Sequence, residues 1–283
     1  MKMNRQTYDL AFGAGAACSC SQSLRRAKLQ LLSFPGDWTA PIWGWRGAEQ
    51  ERHNLVLRVR RLCSGFDGFF DPADFKFVGP HEWNGKDIYA NLRTHYVFNH
   101  DFTQGADFAA ELPKVAERFR RRRDRLLALI RAARRVLVVR LDFPNGDFPT
   151  TPEDCRLARE ILTAAFPGTK FDVLLLQCDP ATPFEQRRAE PIGEGCLRLA
   201  FDYRDTKPGA DPRIPDLALT AAALAGLACV RDYRTKAERR AHRHQNNLKH
   251  WAKFGAATRW GYWRARLLGV FGRRVRPASS STR

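Results

Sequence analysis

The chain has 283 residues, 44% of them hydrophobic, and a formal net charge of +18, a length that fits one large domain or two small ones. The hydrophobic fraction excludes a wholly disordered chain, and the lack of any apolar run of roughly 18–20 residues excludes a helical membrane protein. Residues 231–283 hold 15 of the 48 Lys and Arg and 2 of the 30 Asp and Glu, so they carry +13 of the charge. The sequence therefore predicts a mildly basic body, residues 1–230, and a very basic tail, residues 231–283.

Strand and helix signals alternate along the body. Tyr8–Phe12 predicts a buried strand, after which the Gly13–Gly15 turn leads into a helix that Ser19 or Ser21 caps and that runs to Leu29. Further along, the patterns predict a loop over 33–45, a helix over 49–62, irregular structure over 65–85, a strand over 95–102, a helix over 112–133, a strand over 136–141, a helix over 152–166 capped by Thr151, strands over 171–176 and 196–203, and a helix over 215–230.

The order of elements from residue 95 to residue 177 is strand, helix, strand, helix, strand. This order favours an α/β fold with a sheet of about five strands, mostly parallel and flanked by helices, whose crossovers are right-handed. A basic helical C-terminal tail follows this sheet. The stretch Arg118–Arg125 predicts an ordinary solvated helix face, because acidic residues interrupt it and an apolar stripe accompanies it.

The seven cysteines are odd in number and scattered along the chain, which favours reduced thiols in the cytoplasm over a disulfide framework. Cys18 and Cys20 form a close pair, but no second Cys or His pair follows at metal-ligand spacing, so we expect neither a metal nor another cofactor. Asp9 and two glycines interrupt the apolar segment that a signal peptide would need. The sequence thus predicts a cytoplasmic protein.

Residues that could take part in catalysis follow the predicted strands. Cys18 follows the first strand, His100 and Asp101 end the strand over 95–102, and Asp142 ends the next one. If these strands are parallel neighbours, a thiol, an imidazole and a carboxylate meet at one edge of the sheet as nucleophile, base and orienting group. Cys20 is the competing nucleophile, and each residue also has a structural interpretation as packing, a hydrogen-bonded pair or a turn opener.

Four short motifs resemble, in order and spacing, the bacterial family of papain-like cysteine peptidases. They are Gly15-Ala16-Ala17-Cys18, Leu24-Arg25-Arg26, Pro35-Gly36-Asp37-Trp38 and His100-Asp101-Phe102, within a similarity over roughly residues 8–180. The family motif has Phe where this chain has Gly36. The resemblance implies a nucleophile at Cys18, a base at His100 on an antiparallel strand, and a third member among Asp142, Asp37 and Asp101. Trp38 would support the site, and the substrate would be an acyl or peptide-like compound.

The tail interleaves Lys and Arg with Trp251, Trp260, Trp263 and Phe271. Such a pattern suits an anionic membrane surface at the inner face of the membrane, and less well a nucleic acid or packing on the body. Two functions follow: a cysteine-dependent hydrolase or acyl-transfer enzyme held by its tail, and a non-catalytic binding or scaffold protein that acts through the tail.

Overall fold

A computed structural model describes residues 6–15, 17–37, 39–41, 55–82, 84–94, 96–144, 149–207, 211, 214–231 and 240. The chain divides into two units, Met1–Arg231 and Asp232–Arg283. Only Arg240 of the second unit is described, so the predicted helical tail lies outside the described residues.

The first unit contains eleven described strands and five described α-helices. The strands are β1 (Gln6–Tyr8), β2 (Leu10–Gly13), β3 (Thr39–Pro41), β4 (Phe75–Pro80), β5 (Lys86–Asn91), β6 (Tyr96–Thr103), β7 (Arg135–Leu141), β8 (Lys170–Cys178), β9 (Arg188–Gly193), β10 (Cys196–Phe201) and β11 (Ala228–Val230). The helices are α1 (Cys18–Arg26), α2 (Leu55–Cys63), α3 (Phe108–Ala132), α4 (Pro152–Ala165) and α5 (Leu217–Leu227).

The central sheet has the strand order β2-β7-β8-β10-β9, with β9 antiparallel to β10 and every other pair parallel. The predicted α/β fold with about five mostly parallel strands is thus confirmed. The buried strand β7 shows why: Val136 to Val139 alternate between the two faces of the sheet and are all buried, which is typical of a sheet covered on both sides.

A second sheet of four antiparallel strands, β3-β6-β5-β4, was not predicted. The strand over 95–102 exists as β6, but the expectation that it joins the parallel sheet is wrong, because β6 pairs with β3 and β5. The expectation of irregular structure over 65–85 is wrong for β4, an edge strand of mostly exposed residues. Alternation identifies a strand but says nothing about the direction of its partner.

Helices cover both faces of the central sheet. One buried cluster joins α2, α3 and α4 to one face, and another joins α1 and α5 to the opposite face. The helix after β2 therefore lies on one side, whereas the helix after the neighbouring β7 lies on the other. Adjacent parallel strands whose helices diverge in this way leave a crevice beyond their carboxyl ends.

The predicted N-terminal cap is correct for α4 and wrong for α1. Thr151 caps α4, as the sequence predicts, and Asp154 completes a capping box with it. Helix α1 instead begins at Cys18, one residue after an extended Ala17 that supplies no side-chain cap. The predicted capping by Ser19 or Ser21 is wrong because both lie inside the helix and are buried.

Candidate functional site

Cys18 opens α1 beyond the carboxyl end of β2, at the crevice between β2 and β7. The Gln22 side chain and the backbone N–H groups of Cys18 and Ser19 lie near the sulfur and lower the pKa of the thiol as donors to it. Burial raises the pKa of the Cys18 thiol above its ordinary value, against the effect of these hydrogen bonds, and the charge of Asp37 raises the pKa further. At neutral pH this residue is therefore a thiol whose developing thiolate would already have donors in place.

Cys20 is a packing residue beneath the glycine turn. Its side chain is 2% exposed, and its Sγ donates a hydrogen bond to the Val139 carbonyl at 3.4 Å. Burial raises the pKa of its thiol to about 12. A Cβ at Gly15 would stand 2.2 Å from the Cys20 Cβ, so the turn needs glycine where it crosses this side chain. The geometry favours Cys18 over Cys20 as the accessible thiol.

Asp37 is a buried carboxylate held by donors from two sides. Its Oδ2 accepts hydrogen bonds from Gln30 Nε2 at 2.6 Å, from the Phe34 N–H at 2.8 Å and from Arg25 Nη2 at 3.1 Å, while its Oδ1 has no partner among the described residues. Burial raises the pKa of Asp37 to about 6, although these donors lower it. The hydroxyl of Ser21 links the site to α1, since it donates to the carbonyls of both Asp37 and Cys18.

A type II turn explains the departure from the Pro-Phe-Asp-Trp motif. The Asp37 N–H bonds the Phe34 carbonyl, and Gly36 has a φ of 80°, the left-handed value that this turn requires after Pro35. Gly36 also lines a half-open cavity of about 30 Å³, room for about two water molecules. The other lining residues are Phe12, Gly13, Ala14, Pro35, Arg58, Val59, Leu62, Phe66, Tyr96 and Leu126.

His100 lies in an irregular part of β6, where residues 99–101 oppose the single residue Ile88 of β5. Its Nδ1 accepts a hydrogen bond from Asn84 Nδ2 at 3.1 Å, and its ring centroid lies 5.9 Å from that of His81. Burial and the neighbouring His81 lower the pKa of His100, against the opposing charge of Asp101. The imidazole is therefore neutral near pH 7, and the Asn84 donor fixes its proton on Nε2.

The pairing of β3 with β6 brings the Asp37 and His100 positions to one end of the antiparallel sheet. Thr39 pairs with Phe98, so Asp37 precedes this pair by two residues and His100 follows it by two. Ala17, the residue before Cys18, packs against Ala90 and Val97 of the same sheet. No hydrogen bond or charge interaction joins Cys18 to His100 within the described part of the chain.

Asp142 belongs to a separate cluster. Its carboxylate accepts hydrogen bonds from Arg140 Nε at 2.7 Å, from the Thr150 N–H at 2.8 Å and from the Thr150 hydroxyl at 2.7 Å. Both members of the Arg140–Asp142 pair are buried. The third predicted carboxylate, Asp101, accepts a hydrogen bond from Arg118 at 3.4 Å. Of the three carboxylates, Asp37 is thus the one whose charge reaches Cys18.

Sequence reasoning missed three residues near the site, of which Gln22 lies one turn after Cys18 on the same helix. Gln22 contacts the Cys18 sulfur, Asn84 holds the His100 ring, and Arg122 lies near both Asp37 and Asp101. The spacing of Arg118, Arg122 and Arg125 shows in the sequence that they share one face of α3. The sequence does not show which other segment that face lies against. Trp38 lies outside the described residues.

The described residues include no group of three His, Cys, Asp or Glu side chains placed to hold a metal ion. Within the same residues, no helix is both long and apolar enough to cross a bilayer. Comparisons of the chain with protein-family models, curated proteins and solved structures found no match. The fold and site thus define an α/β protein whose candidate site centres on one partly exposed cysteine.

Proposed function

We propose that the first unit is a cysteine-dependent hydrolase or acyl-transfer enzyme with Cys18 as its nucleophile. The observation that carries the proposal is the position of Cys18 as the first residue of α1, with the N–H groups of Cys18 and Ser19 at its sulfur. A helix N-terminus stabilises a thiolate, and the same donors suit the oxyanion that forms when a thiolate attacks a carbonyl.

In the proposed reaction the Cys18 sulfur attacks the acyl carbon of an ester, thioester or amide while His100 takes the thiol proton. The new S–C bond forms as the carbonyl electrons move to the oxygen, which accepts hydrogen bonds at the start of α1. The bond to the leaving group then breaks, and that group departs with the proton from His100. Water, or an acceptor molecule, releases the acyl group by the same steps in reverse order.

His100 supports this scheme by its state and position. Its imidazole is neutral, as a base requires, and it lies on an antiparallel strand, as the resemblance to papain-like peptidases implies. Because Asn84 occupies Nδ1, the ring must exchange that hydrogen bond for the thiol proton. Asp37 is the acidic residue that we assign to the site, since its charge acts on Cys18.

Acylation by p-nitrophenyl acetate tests the nucleophile. We expect a burst of nitrophenol of about one equivalent and an acetyl group on the peptide that contains Cys18, both lost in Cys18→Ser. Cys20→Ala is the matched control and should keep the burst, because Cys20 is buried. His100→Gln should slow acylation about 100-fold, the usual contribution of a general base. An undiminished burst in Cys18→Ser would overturn the proposal.

The proposal extends to where the enzyme acts. We propose that residues 231–283 hold it at an anionic membrane surface, because they carry +13 of its charge and interleave that charge with aromatic residues. The alternative, a scaffold protein that acts through this segment alone, predicts the same membrane binding but no acylation of Cys18. The acylation experiment therefore separates the two functions.

A further inference from the structure

Four arginines from two helices lie around the segment between α1 and β3 and the neighbouring Asp101 of β6. Arg118, Arg122 and Arg125 follow one another at spacings of four and three residues, so they share one face of α3. Arg25, in the last turn of α1, faces the same segment. We call Arg25, Arg118, Arg122 and Arg125 the arginine cluster.

Hydrogen bonds hold three of these guanidinium groups in place. Arg25 Nη2 donates to the Ser33 hydroxyl at 2.8 Å, and Arg125 Nη2 donates to the Ser33 carbonyl at 2.5 Å. Arg118 Nη2 donates to the Asp101 carbonyl at 3.0 Å. The side chains of Arg25 and Arg118 keep 32% and 39% of their surface exposed, so an anion can reach both side chains from solvent.

Arg122 occupies the middle of the row and is differently placed. It is partly buried near Asp37 and Asp101, yet no described residue accepts a hydrogen bond from its guanidinium. None of its nitrogens is among the buried atoms that lack a partner, so its five N–H donors reach water and are open to an anion. The four arginines exceed their two carboxylates, Asp37 and Asp101, by two positive charges. The cluster therefore matches a doubly negative group that offers several acceptor oxygens.

Helix α1 connects this cluster to Cys18. Cys18, Gln22 and Arg25 lie on one face of α1 and are partly exposed, whereas the intervening Ser19 to Ser21 are buried. Arg25 is two helical turns from Cys18, about 10 Å along the axis. A ligand whose anionic group sits on the cluster can thus extend along α1 to the sulfur.

We propose that the arginine cluster binds a phosphate group carried by the substrate of the Cys18 site. A phosphate ester or diphosphate supplies two negative charges, and its oxygens match the forked donors of arginine. The substrate class is then an acyl compound that also carries a phosphate group, the two groups being separated along α1. This inference rests on the proposed function for its substrate, whereas the phosphate site itself is measurable without catalysis.

Calorimetric titration of the full-length protein with inorganic pyrophosphate tests the site. We expect saturable binding that weakens about tenfold in Arg122→Gln, the loss typical of a charged hydrogen bond. Arg131→Gln is the matched control: it removes the same charge from an exposed position about 180° around α3, and it should change the affinity less than about twofold. Equal losses in both variants, or no saturable binding by the unmodified chain, would overturn the proposal.

Further measurements check that the variants are folded and that the site prefers phosphate to another anion. Arg125→Gln should weaken pyrophosphate binding as Arg122→Gln does, and circular dichroism verifies the fold of each. Citrate should bind at least about tenfold more weakly than pyrophosphate; equal binding overturns the phosphate assignment. A Cys18→Ser variant should bind pyrophosphate with unchanged affinity.

A protection experiment connects the phosphate site to Cys18 and separates the two proposals. Pyrophosphate should slow alkylation of Cys18 by iodoacetamide at least about fivefold in the unmodified chain and not in Arg122→Gln. Unchanged alkylation overturns the link between the phosphate site and the substrate. If Cys18 forms no acyl intermediate while pyrophosphate binding depends on Arg122, the cysteine enzyme fails and the phosphate site stands. The reverse result removes only the phosphate site.

Discussion

Individual side chains in this protein owe their chemistry to what surrounds them, and the two carboxylates Asp142 and Asp37 show this most clearly. Asp142 is saturated by three donors and paired with a buried arginine. Asp37 keeps one oxygen without a partner among the described residues and has a raised pKa. The first is therefore a structural ion pair, and the second is the acidic residue that acts on Cys18.

Replacement of Asp142 by Asn should lower the free energy of unfolding by about 3 kcal/mol or more, because it leaves the charge of Arg140 buried and uncompensated. Urea unfolding measures this loss, and Asp124→Asn, at an exposed position, should stay within about 0.5 kcal/mol. The rate of Cys18 acylation in the folded variant should change little. A large fall in that rate without a loss of stability would instead make Asp142 the orienting group.

Asp37 should make stability fall as pH rises from about 4 to about 6. Its pKa is higher in the folded chain than in the unfolded chain, so the folded state binds more protons in this window and loses that advantage as the carboxyl ionises. The stability of the unmodified chain relative to Asp37→Asn should drop by on the order of 2–3 kcal/mol across the window. Urea unfolding at pH 4 and pH 7 measures the difference. A difference that does not change with pH would contradict the assigned pKa.

At the scale of elements, the glycine turn and helix α1 form one unit. The turn from β2 crosses the Cys20 side chain so closely that only glycine fits at residue 15. Helix α1 begins three residues after this close crossing, at Cys18, beyond the carboxyl end of β2. The element that carries the candidate nucleophile is thus positioned by a backbone contact.

Gly15→Ala should destabilise the chain by about 2–3 kcal/mol, because its Cβ would overlap the Cys20 Cβ, an atom attached to the helix backbone. Gly226→Ala is the matched control in α5, where a Cβ meets nothing within 4 Å. That change should stabilise the protein by up to about 1 kcal/mol through helix propensity. Thermal and urea unfolding measure both variants. Equal effects would show that the turn is not packed as described.

At the scale of the molecule, charge is divided between the first unit and residues 231–283. Removal of residues 232–283 should abolish co-sedimentation with vesicles that contain anionic lipid, since this segment carries most of the net charge. The cut falls after Arg231, whose N–H bonds the Tyr8 carbonyl, so the β1–β11 pair is kept. Vesicles of neutral lipid are the control for charge. Unchanged binding to anionic vesicles would contradict the proposal that residues 231–283 hold the protein at the membrane, and would place lipid binding in the first unit.

The sequence alone determined the features that neighbouring residues encode. The cap at Thr151 and the buried strand β7 depend on side chains a few positions apart, and both were predicted closely. The glycine turn, Cys18 and the concentration of charge after residue 230 were also visible in the sequence. Each of these signals depends on residues close together in the chain, so it can be recognised without knowledge of the fold.

The tertiary structure alone decided how distant segments meet. Strand β6 joins an antiparallel sheet because it pairs with its hairpin neighbour β5 and with the distant β3, and alternation is the same for either direction of pairing. The neighbours of His100 and of Arg122 likewise come from other parts of the fold. The burial of a site residue and the charge around it depend on all of its neighbours, many of which come from distant segments. The sequence could therefore identify Cys18 and His100 as candidates, but only the fold shows what surrounds them.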